Sequence, residues 1–351
     1  MLSDFWYIAT ESRQLVAGRP VGLTLCNQPI VVFRSPNGAV RAFEDRCAHR
    51  GVPLSAGWQE ADSLRCRYHG WRFGPDGTCV EVPSLAFDDE TTRYETQRKL
   101  PCVRAYPAQE QDGWVWVFVG RDAESKPAAP PPAFPLPPDG SPITTWRTSY
   151  AVEAPMDLAV DNFIDPAHVP FIHHGIFRSR HQPRRKEKEF TRLPLGFRTV
   201  SRNVALPNTL MFKLVDPTSS PAVTTVDFHM PGIHIETFEM GRRWGAIMVV
   251  VTPLTEARSR IDFTMGWNFL RWLKPAEWIA HAFARKALMQ DRGIVELQAR
   301  GHRMSPTMYL SLETDTLAVW YRRLQKYHRD LQAGQPATHP IPERTTLKWH
   351  T

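Results

Sequence analysis

The sequence predicts an α+β protein in which an all-β N-terminal domain precedes a domain of mixed strands and helices. Three observations support this prediction. The length of 351 residues exceeds that of a usual single domain. Short strand-like runs separated by turn residues fill the first third of the chain, and longer helical stretches appear only after a proline-dense connector. The expected divisions are residues 1–121, a linker at 122–142, a second domain at 143–335 and a tail at 336–351.

The first domain is expected to be all-β because β-branched and aromatic runs are bounded by Gly, Pro, Asn and Asp. These runs lie at residues 23–25, 30–33, 40–43 and 114–119. Seven prolines between residues 123 and 138 can neither continue a helix nor donate into a sheet, so they indicate an extended connector.

The second domain is expected to mix both element types. Its strand-like runs lie at residues 197–206, 224–228, 246–252 and 261–267, and its helical stretches at 153–164, 275–299 and 314–330. The prolines after Gln335 predict a tail that wraps the surface.

The net charge of +7 is the one feature that could indicate nucleic acid. The basic residues are scattered, however, and the densest cluster, with Arg184, Arg185, Lys186 and Lys188, is interpreted as a solvated surface loop, with docking of an acidic electron donor as the alternative. No apolar run approaches the roughly 20 residues that span a bilayer, and the first residues lack a charged-then-apolar leader. A cytoplasmic protein without nucleic-acid or membrane partners is expected.

Two short motifs form the first candidate metal site. Each contains a cysteine with a histidine two or three positions later, Cys47 with His49 and Cys66 with His69, in turn-rich sequence. Mixed sulfur and nitrogen donors suit a soft metal. A structural zinc site and a chance grouping are the alternatives, although zinc fingers usually pair Cys with Cys and His with His. Five cysteines in all, an odd number, argue against a disulfide framework.

The segments CAHRGVPLSAGW and CRYHGWRF resemble the Rieske proteins, in particular the Rieske domains of ring-hydroxylating and demethylating oxygenases. The resemblance implies a 2Fe-2S cluster with Cys47 and Cys66 on an inner iron and His49 and His69 on an outer, more exposed iron.

A second cluster of potential ligands lies within seventeen residues of the second domain, comprising Asp157, Asp161, Asn162, Asp165, His168 and His173. Five residues of ideal helix rotate a side chain by about 140°, so the two histidines can meet one ion only if the helix breaks between them. Pro170 is expected to cause that break. An N-cap at Asp165 and a surface histidine pair at residues 173–174 are the simpler interpretations.

The segment from Asn162 to His173 is similar to the catalytic-iron motif of the same oxygenase family, whose iron is held by two histidines and one carboxylate. Asp291 is the best candidate for the carboxylate because it lies on the apolar stripe of a predicted helix, where an unpaired carboxylate is costly. Glu296 is the second choice. The resemblance marks Asn162 and Asp165 as catalytic residues, with Asp165 bridging His168 to His69 of a neighbouring subunit in a head-to-tail homotrimer.

The resemblance implies a helix-grip catalytic domain and the oxygenase component of a Rieske-type monooxygenase. Iron(II) would use O2, with NADH-derived electrons arriving through a separate reductase or ferredoxin, because no dinucleotide-binding glycine motif is visible. The vanillate-demethylase branch predicts hydroxylation or oxidative demethylation of a small aromatic substrate. Its pocket is expected among strands between residues 200 and 270, with His234 as one candidate. Ring dihydroxylation and a Rieske electron carrier without catalysis are the alternatives.

Overall fold

The computed structural model of the chain describes residues 1–86, 100–173, 185–204, 221–271, 273–306, 308, 310 and 313–350. It divides into two compact units. The first comprises Met1–Ala133 with Thr252–Glu256, and the second comprises Phe134–Val251 with Ala257–Thr351. Nineteen strands and four α-helices occur in these described ranges.

Three antiparallel sheets form the first unit. One has the order β1-β11-β10, with bounds Phe5–Glu11, Trp114–Val119 and Ala108–Gln111. The next has the order β2-β3-β4-β9, with bounds Val21–Leu25, Gln28–Arg34, Val40–Glu44 and Ala105–Tyr106. The last has the order β5-β6-β7-β8, with bounds Trp58–Glu60, Ser63–Arg65, Arg72–Phe73 and Cys79–Glu81.

The core of this unit lies beneath the two cysteine motifs. Phe33 and Phe43 pack edge to face at 5.2 Å and, with Phe73, belong to the same buried cluster as Cys47 and Cys66. Aromatic and β-branched side chains on short strands therefore supply an apolar floor under the loops that carry the candidate ligands.

One antiparallel eight-stranded sheet dominates the second unit, in the order β12-β18-β17-β16-β15-β14-β13-β19. Its strands, in chain order, are Thr144–Val152, Arg185–Leu193, Gly196–Val204, Ala222–His229, Ile233–Met240, Arg243–Pro253, Ser259–Trp267 and Arg344–His350. Apart from the outermost strands, successive strands are hairpin neighbours, so local connections account for most of the sheet.

The four helices are α1, Met156–Ile164, α2, Val169–Ile172, α3, Lys274–Met304, and α4, Thr316–Gln332. The spacing of Ala284, Leu288, Asp291 and Val295 predicts one buried face of α3; Leu288, Asp291 and Val295 are buried, and Ala284 is half-buried. Edge-to-face contacts join α4 to the sheet, with Trp320 5.7 Å from Phe197 and Tyr321 5.6 Å from Phe228.

These elements confirm the predicted fold class of an all-β domain followed by an α+β domain with an antiparallel sheet. No helix in the described ranges has both the length and the apolar character that crossing a membrane requires.

Two local predictions are wrong. Arg185, Lys186 and Lys188 belong to strand β13 rather than to a surface loop, and Arg184 lies outside the described residues. The C-terminal segment does not merely wrap the surface, because β19 pairs antiparallel with β13. The predicted strand at 197–206 is seen to residue 204, and its remainder lies outside the described residues.

Candidate metal centres

Two loops of the same construction carry the cysteine and histidine motifs. In the first, the Gly51 N–H donates to the Cys47 carbonyl at 2.9 Å, and in the second, the Gly70 N–H donates to the Cys66 carbonyl at 3.1 Å. Both glycines have a φ of +72°, which is strained for side chains other than glycine. The repeated turn sets one cysteine and one histidine at corresponding places on each loop.

The cysteines and histidines of these loops differ in depth. Cys47 and Cys66 are buried, with the two thiols within hydrogen-bonding reach, whereas His49 and His69 are exposed. Burial raises the pKa of the Cys47 thiol to about 11. The imidazole centroids lie 4.6 Å apart, and Trp71 stacks on His49 at 4.6 Å. The four side chains thus converge with sulfur inward and nitrogen outward.

The spacing of these four donors separates a two-iron cluster from a single zinc ion. A tetrahedral zinc ion holds its four ligands at about 2.0–2.3 Å, which brings all the donors close together. In the described part of the chain, no three of these four side chains have donor atoms that all lie within 4.8 Å of one another. A 2Fe-2S cluster fits the arrangement, because its two irons divide the thiolates from the imidazoles.

The second candidate site is built where α1 ends. Asp165 has extended backbone angles, φ −73° and ψ 118°, and terminates the helix before Pro166. His168 and His173 then flank the single turn of α2 as its N-cap and C-cap residues. The predicted break at Pro170 is therefore wrong. Pro170 lies in the first turn of α2, where its missing N–H is not needed for a helical hydrogen bond. The interruption of the helix comes earlier, at Asp165.

His168, His173 and Asp291 converge although Asp291 lies more than a hundred residues later, on α3. Each offers a ligand atom within 4.8 Å of the others. Asp291 Oδ1 lies 3.1 Å from His173 Nε2 and 3.7 Å from His168 Nε2. Asp291 and His173 are buried. Two imidazoles and one carboxylate are the donor set that binds non-heme iron(II) in oxygenases.

Asn162 and Glu296 can now be distinguished by their contacts. The Asn162 side chain donates from Nδ2 to Asp291 Oδ1 at 3.0 Å and so supports the carboxylate. Glu296 instead accepts hydrogen bonds from Arg292 Nε at 2.9 Å and from the Glu153 N–H at 3.2 Å. The geometry favours Asp291 over Glu296 as the carboxylate of the site.

Asp165 lies beside this site but does not hydrogen-bond His168 here. Its Oδ2 lies 3.6 Å from His168 Nδ1, and its Oδ1 accepts the Ala167 N–H at 2.7 Å. In the described part of the chain, the buried His168 Nδ1 has no hydrogen-bond partner. The Asp165 side chain is 36% exposed.

Sequence reasoning missed Gln290. Its Oε1 lies 3.0 Å from Nδ1 of His173. Burial alone would lower the pKa of His173, but hydrogen bonds with Asp291 and Gln290 outweigh it and raise that pKa. The position of Gln290 next to Asp291 was the one signal in the sequence for its role. That signal is weak, because consecutive residues of a helix ordinarily point in different directions.

Two family profiles match the chain. Residues 5–104 match the Rieske [2Fe-2S] domain, and residues 152–330 match the vanillate O-demethylase oxygenase C-terminal domain. The second match alone covers half of the chain and contains all three residues of the second site.

Among curated relatives, the chloroplastic chlorophyllide a oxygenase of Chlamydomonas reinhardtii is 29% identical over 97% of this chain and 51% of its own length. The vanillate O-demethylase oxygenase subunit of a Pseudomonas species is 31% identical over 48% of this chain and 44% of its own length. The chain thus spans about half the length of these relatives.

A crystal structure of dicamba monooxygenase bound to dicamba superposes with a TM-score of 0.76, covering 95% of this chain and 98% of that one. The sequence identity is 22%, so this similarity concerns the fold.

Proposed function

Because the chain belongs to the Rieske non-heme iron oxygenases whose catalytic domain is of the vanillate O-demethylase type, we propose that it is the oxygenase component of a monooxygenase. It uses O2 and NADH-derived electrons from a separate reductase or ferredoxin, and it hydroxylates or oxidatively demethylates a small aromatic substrate. The convergence of His168, His173 and Asp291 within 4.8 Å carries this proposal, since a pure electron carrier needs no such site.

The first unit holds the cluster. Cys47 and Cys66 would bind the cluster through their buried thiolates, and His49 and His69 would bind it through their exposed imidazoles. Neutral imidazole ligands raise the reduction potential above that of an all-cysteine cluster. Because both imidazoles are exposed, an electron donor can approach them directly.

In the second unit, His168, His173 and Asp291 would hold iron(II), whose chemistry there would be the activation of O2. When bound, the two metal groups supply one-electron transfer and the activation of O2. Asn162 orients Asp291 by donating to Oδ1, and the buried positions of His173 and Asp291 limit the access of water.

The overall reaction balances with two electrons from NADH. One oxygen atom of O2 is inserted into a C–H bond of the substrate and forms a hydroxyl group. The other oxygen atom takes up the two electrons and two protons and leaves as water. Where the hydroxylated carbon is an O-methyl or N-methyl group, the hemiacetal-like or hemiaminal product loses formaldehyde.

Asp165 is proposed to connect subunits. Its exposed carboxylate lies beside His168 Nδ1 and is available to His69 of a neighbouring subunit. Such a contact closes a head-to-tail ring, and a homotrimer with C3 symmetry satisfies it for every copy.

A single-turnover experiment tests the activity without the unidentified reductase. The iron-loaded chain is reduced with dithionite, freed of excess reductant and exposed to O2 with a panel of methoxybenzoates. We expect formaldehyde and the matching phenol in equal amounts, measured by mass spectrometry.

Asp291→Ala is the matched control for this experiment. It should keep the Rieske EPR signal and form no product, because it removes an iron ligand far in sequence from the cluster loops. Equal product from wild type and Asp291→Ala would contradict the assignment, and a cis-diol in place of the phenol would indicate dioxygenation.

A further inference from the structure

The two candidate iron-binding histidines are held in different ways. His173 Nδ1 lies 3.0 Å from Gln290 Oε1, whereas His168 Nδ1 has no hydrogen-bond partner within the described ranges. His173 is 4% exposed, so water is a poor substitute for the glutamine. Its ring orientation therefore depends on a contact made inside the subunit.

Gln290 and Asp291 are consecutive residues of α3, and together they clamp one imidazole. The Gln290 oxygen faces Nδ1, and the Asp291 Oδ1 lies 3.1 Å from Nε2. An amide oxygen can only accept a hydrogen bond, so Nδ1 of the neutral ring must carry the proton. The lone pair then resides on Nε2, the nitrogen that faces the carboxylate and His168.

We propose that Gln290 is a positioning residue, which fixes His173 in the tautomer and orientation that bind iron through Nε2. The inference rests on the proposed function, because it concerns the same iron site. Outer partners of metal-binding histidines fix the tautomer and raise the basicity of the ligand. Gln290 does this for His173 within the chain, whereas His168 Nδ1 has no corresponding acceptor among the described residues.

The test measures iron(II) affinity rather than turnover. Wild type and variants with equal cluster content are titrated with iron(II) against a competing chelator of known affinity. Gln290→Leu removes the acceptor, and Gln290→Asn keeps the amide but shortens the side chain by one methylene. We expect both to bind iron(II) about 10- to 100-fold more weakly than wild type.

Gln290→Glu and Gln298→Leu are the matched controls. Gln290→Glu keeps an acceptor at the same reach, so it should recover most of the lost affinity. Gln298 lies on the same helix with its amide 4.0 Å from Met308 Sδ and away from His173, so Gln298→Leu should bind iron(II) as wild type does. The absorption spectrum of the cobalt(II)-substituted site gives a second readout, which should change in Gln290→Asn and not in Gln298→Leu.

The outcomes separate this inference from the proposed function. Wild-type affinity in both Gln290→Leu and Gln290→Asn would overturn the positioning role while leaving the iron site intact. An equal loss in Gln290→Glu would also overturn it, because the acceptor would then be irrelevant. A wild-type chain that binds no iron(II) at this site would overturn the proposed function and this inference together.

Discussion

Arg65 directly precedes a candidate cluster cysteine, and we predict that Arg65→Gln destabilises the first unit. Its Nε donates to Glu60 at 2.7 Å, and its Nη2 donates to the carboxylates of both Glu60 and Glu81. Its Nη1 donates to the Gly70 carbonyl at 2.7 Å and to Glu81 at 3.0 Å. All five N–H groups therefore have acceptors. Because Gly70 belongs to the loop that carries Cys66 and His69, Arg65 holds that loop from behind.

The magnitude follows from burial. The Arg65 side chain is 15% exposed, whereas those of Glu60 and Glu81 are 37% and 36% exposed, so each ion pair is partly screened. Partly exposed pairs contribute roughly 0.5–1 kcal/mol each, and a charged donor to a carbonyl contributes about 1.5–3 kcal/mol. Two such ion pairs and one such hydrogen bond predict that Arg65→Gln lowers the free energy of unfolding by about 2.5–5 kcal/mol.

Urea unfolding followed by the visible circular dichroism of the cluster measures this change. Arg13→Gln is the control, since the Arg13 side chain is 76% exposed and makes one solvent-screened ion pair, with Glu11, so a loss of at most about 1 kcal/mol is expected. Equal midpoints for Arg65→Gln and Arg13→Gln would refute the reasoning.

The pH dependence of the same measurement has a defined sign. Hydrogen bonds from Arg65 and then Arg72 lower the pKa of Glu81 from 4.5 to about 2. A depressed carboxyl pKa contributes stability above the ordinary value, and this contribution is lost as the pH falls towards the folded-state value. The difference between wild type and Arg65→Gln should therefore be largest near neutral pH and shrink below about pH 4.5.

Three further predictions concern the second unit. Arg322→Leu should destabilise it by about 3–5 kcal/mol in urea unfolding, because Asp161 loses a bidentate pair at 2.8 and 2.5 Å, and adding Asp161→Asn should recover most of the loss. Burial lowers the pKa of His234 from 6.5 to about 4, so in urea unfolding wild type should lose up to about 3 kcal/mol more than His234→Phe as the pH falls between these values. Asp165→Asn should slow reoxidation of the reduced cluster by O2 and substrate while both metal contents stay unchanged, and unaltered stopped-flow rates would contradict the bridging role.

Features that depend on residues close together in the sequence were predicted correctly, whereas several that depend on residues far apart were not. The buried face of α3 was predicted because Leu288, Asp291 and Val295 repeat at helical spacing, and this periodicity is local. The fold class was predicted for the same reason, since strand and helix patterns are properties of short windows.

Long-range pairing explains the failures. Residues 185–189 are all charged, so they lack the alternation of polar and apolar residues that predicts a strand. The partner strand Arg344–His350 lies far along the chain, and no local signal pairs the two. The clamp on His173 likewise depends on how α2 meets α3, which the residues around Gln290 do not encode. Pro170 was assigned the wrong effect because a proline is harmful inside a helix and harmless in its first turn.

Iron and acid-labile sulfide per chain, measured with an EPR spectrum after dithionite reduction, test the central claim most directly. The ligand sets predict about three irons and two sulfides with a Rieske-type signal, from a 2Fe-2S cluster and one mononuclear iron. Two irons with a second site that cannot be filled would indicate an electron carrier and contradict the proposed activity. Zinc without sulfide in a colourless protein would contradict the Rieske assignment itself.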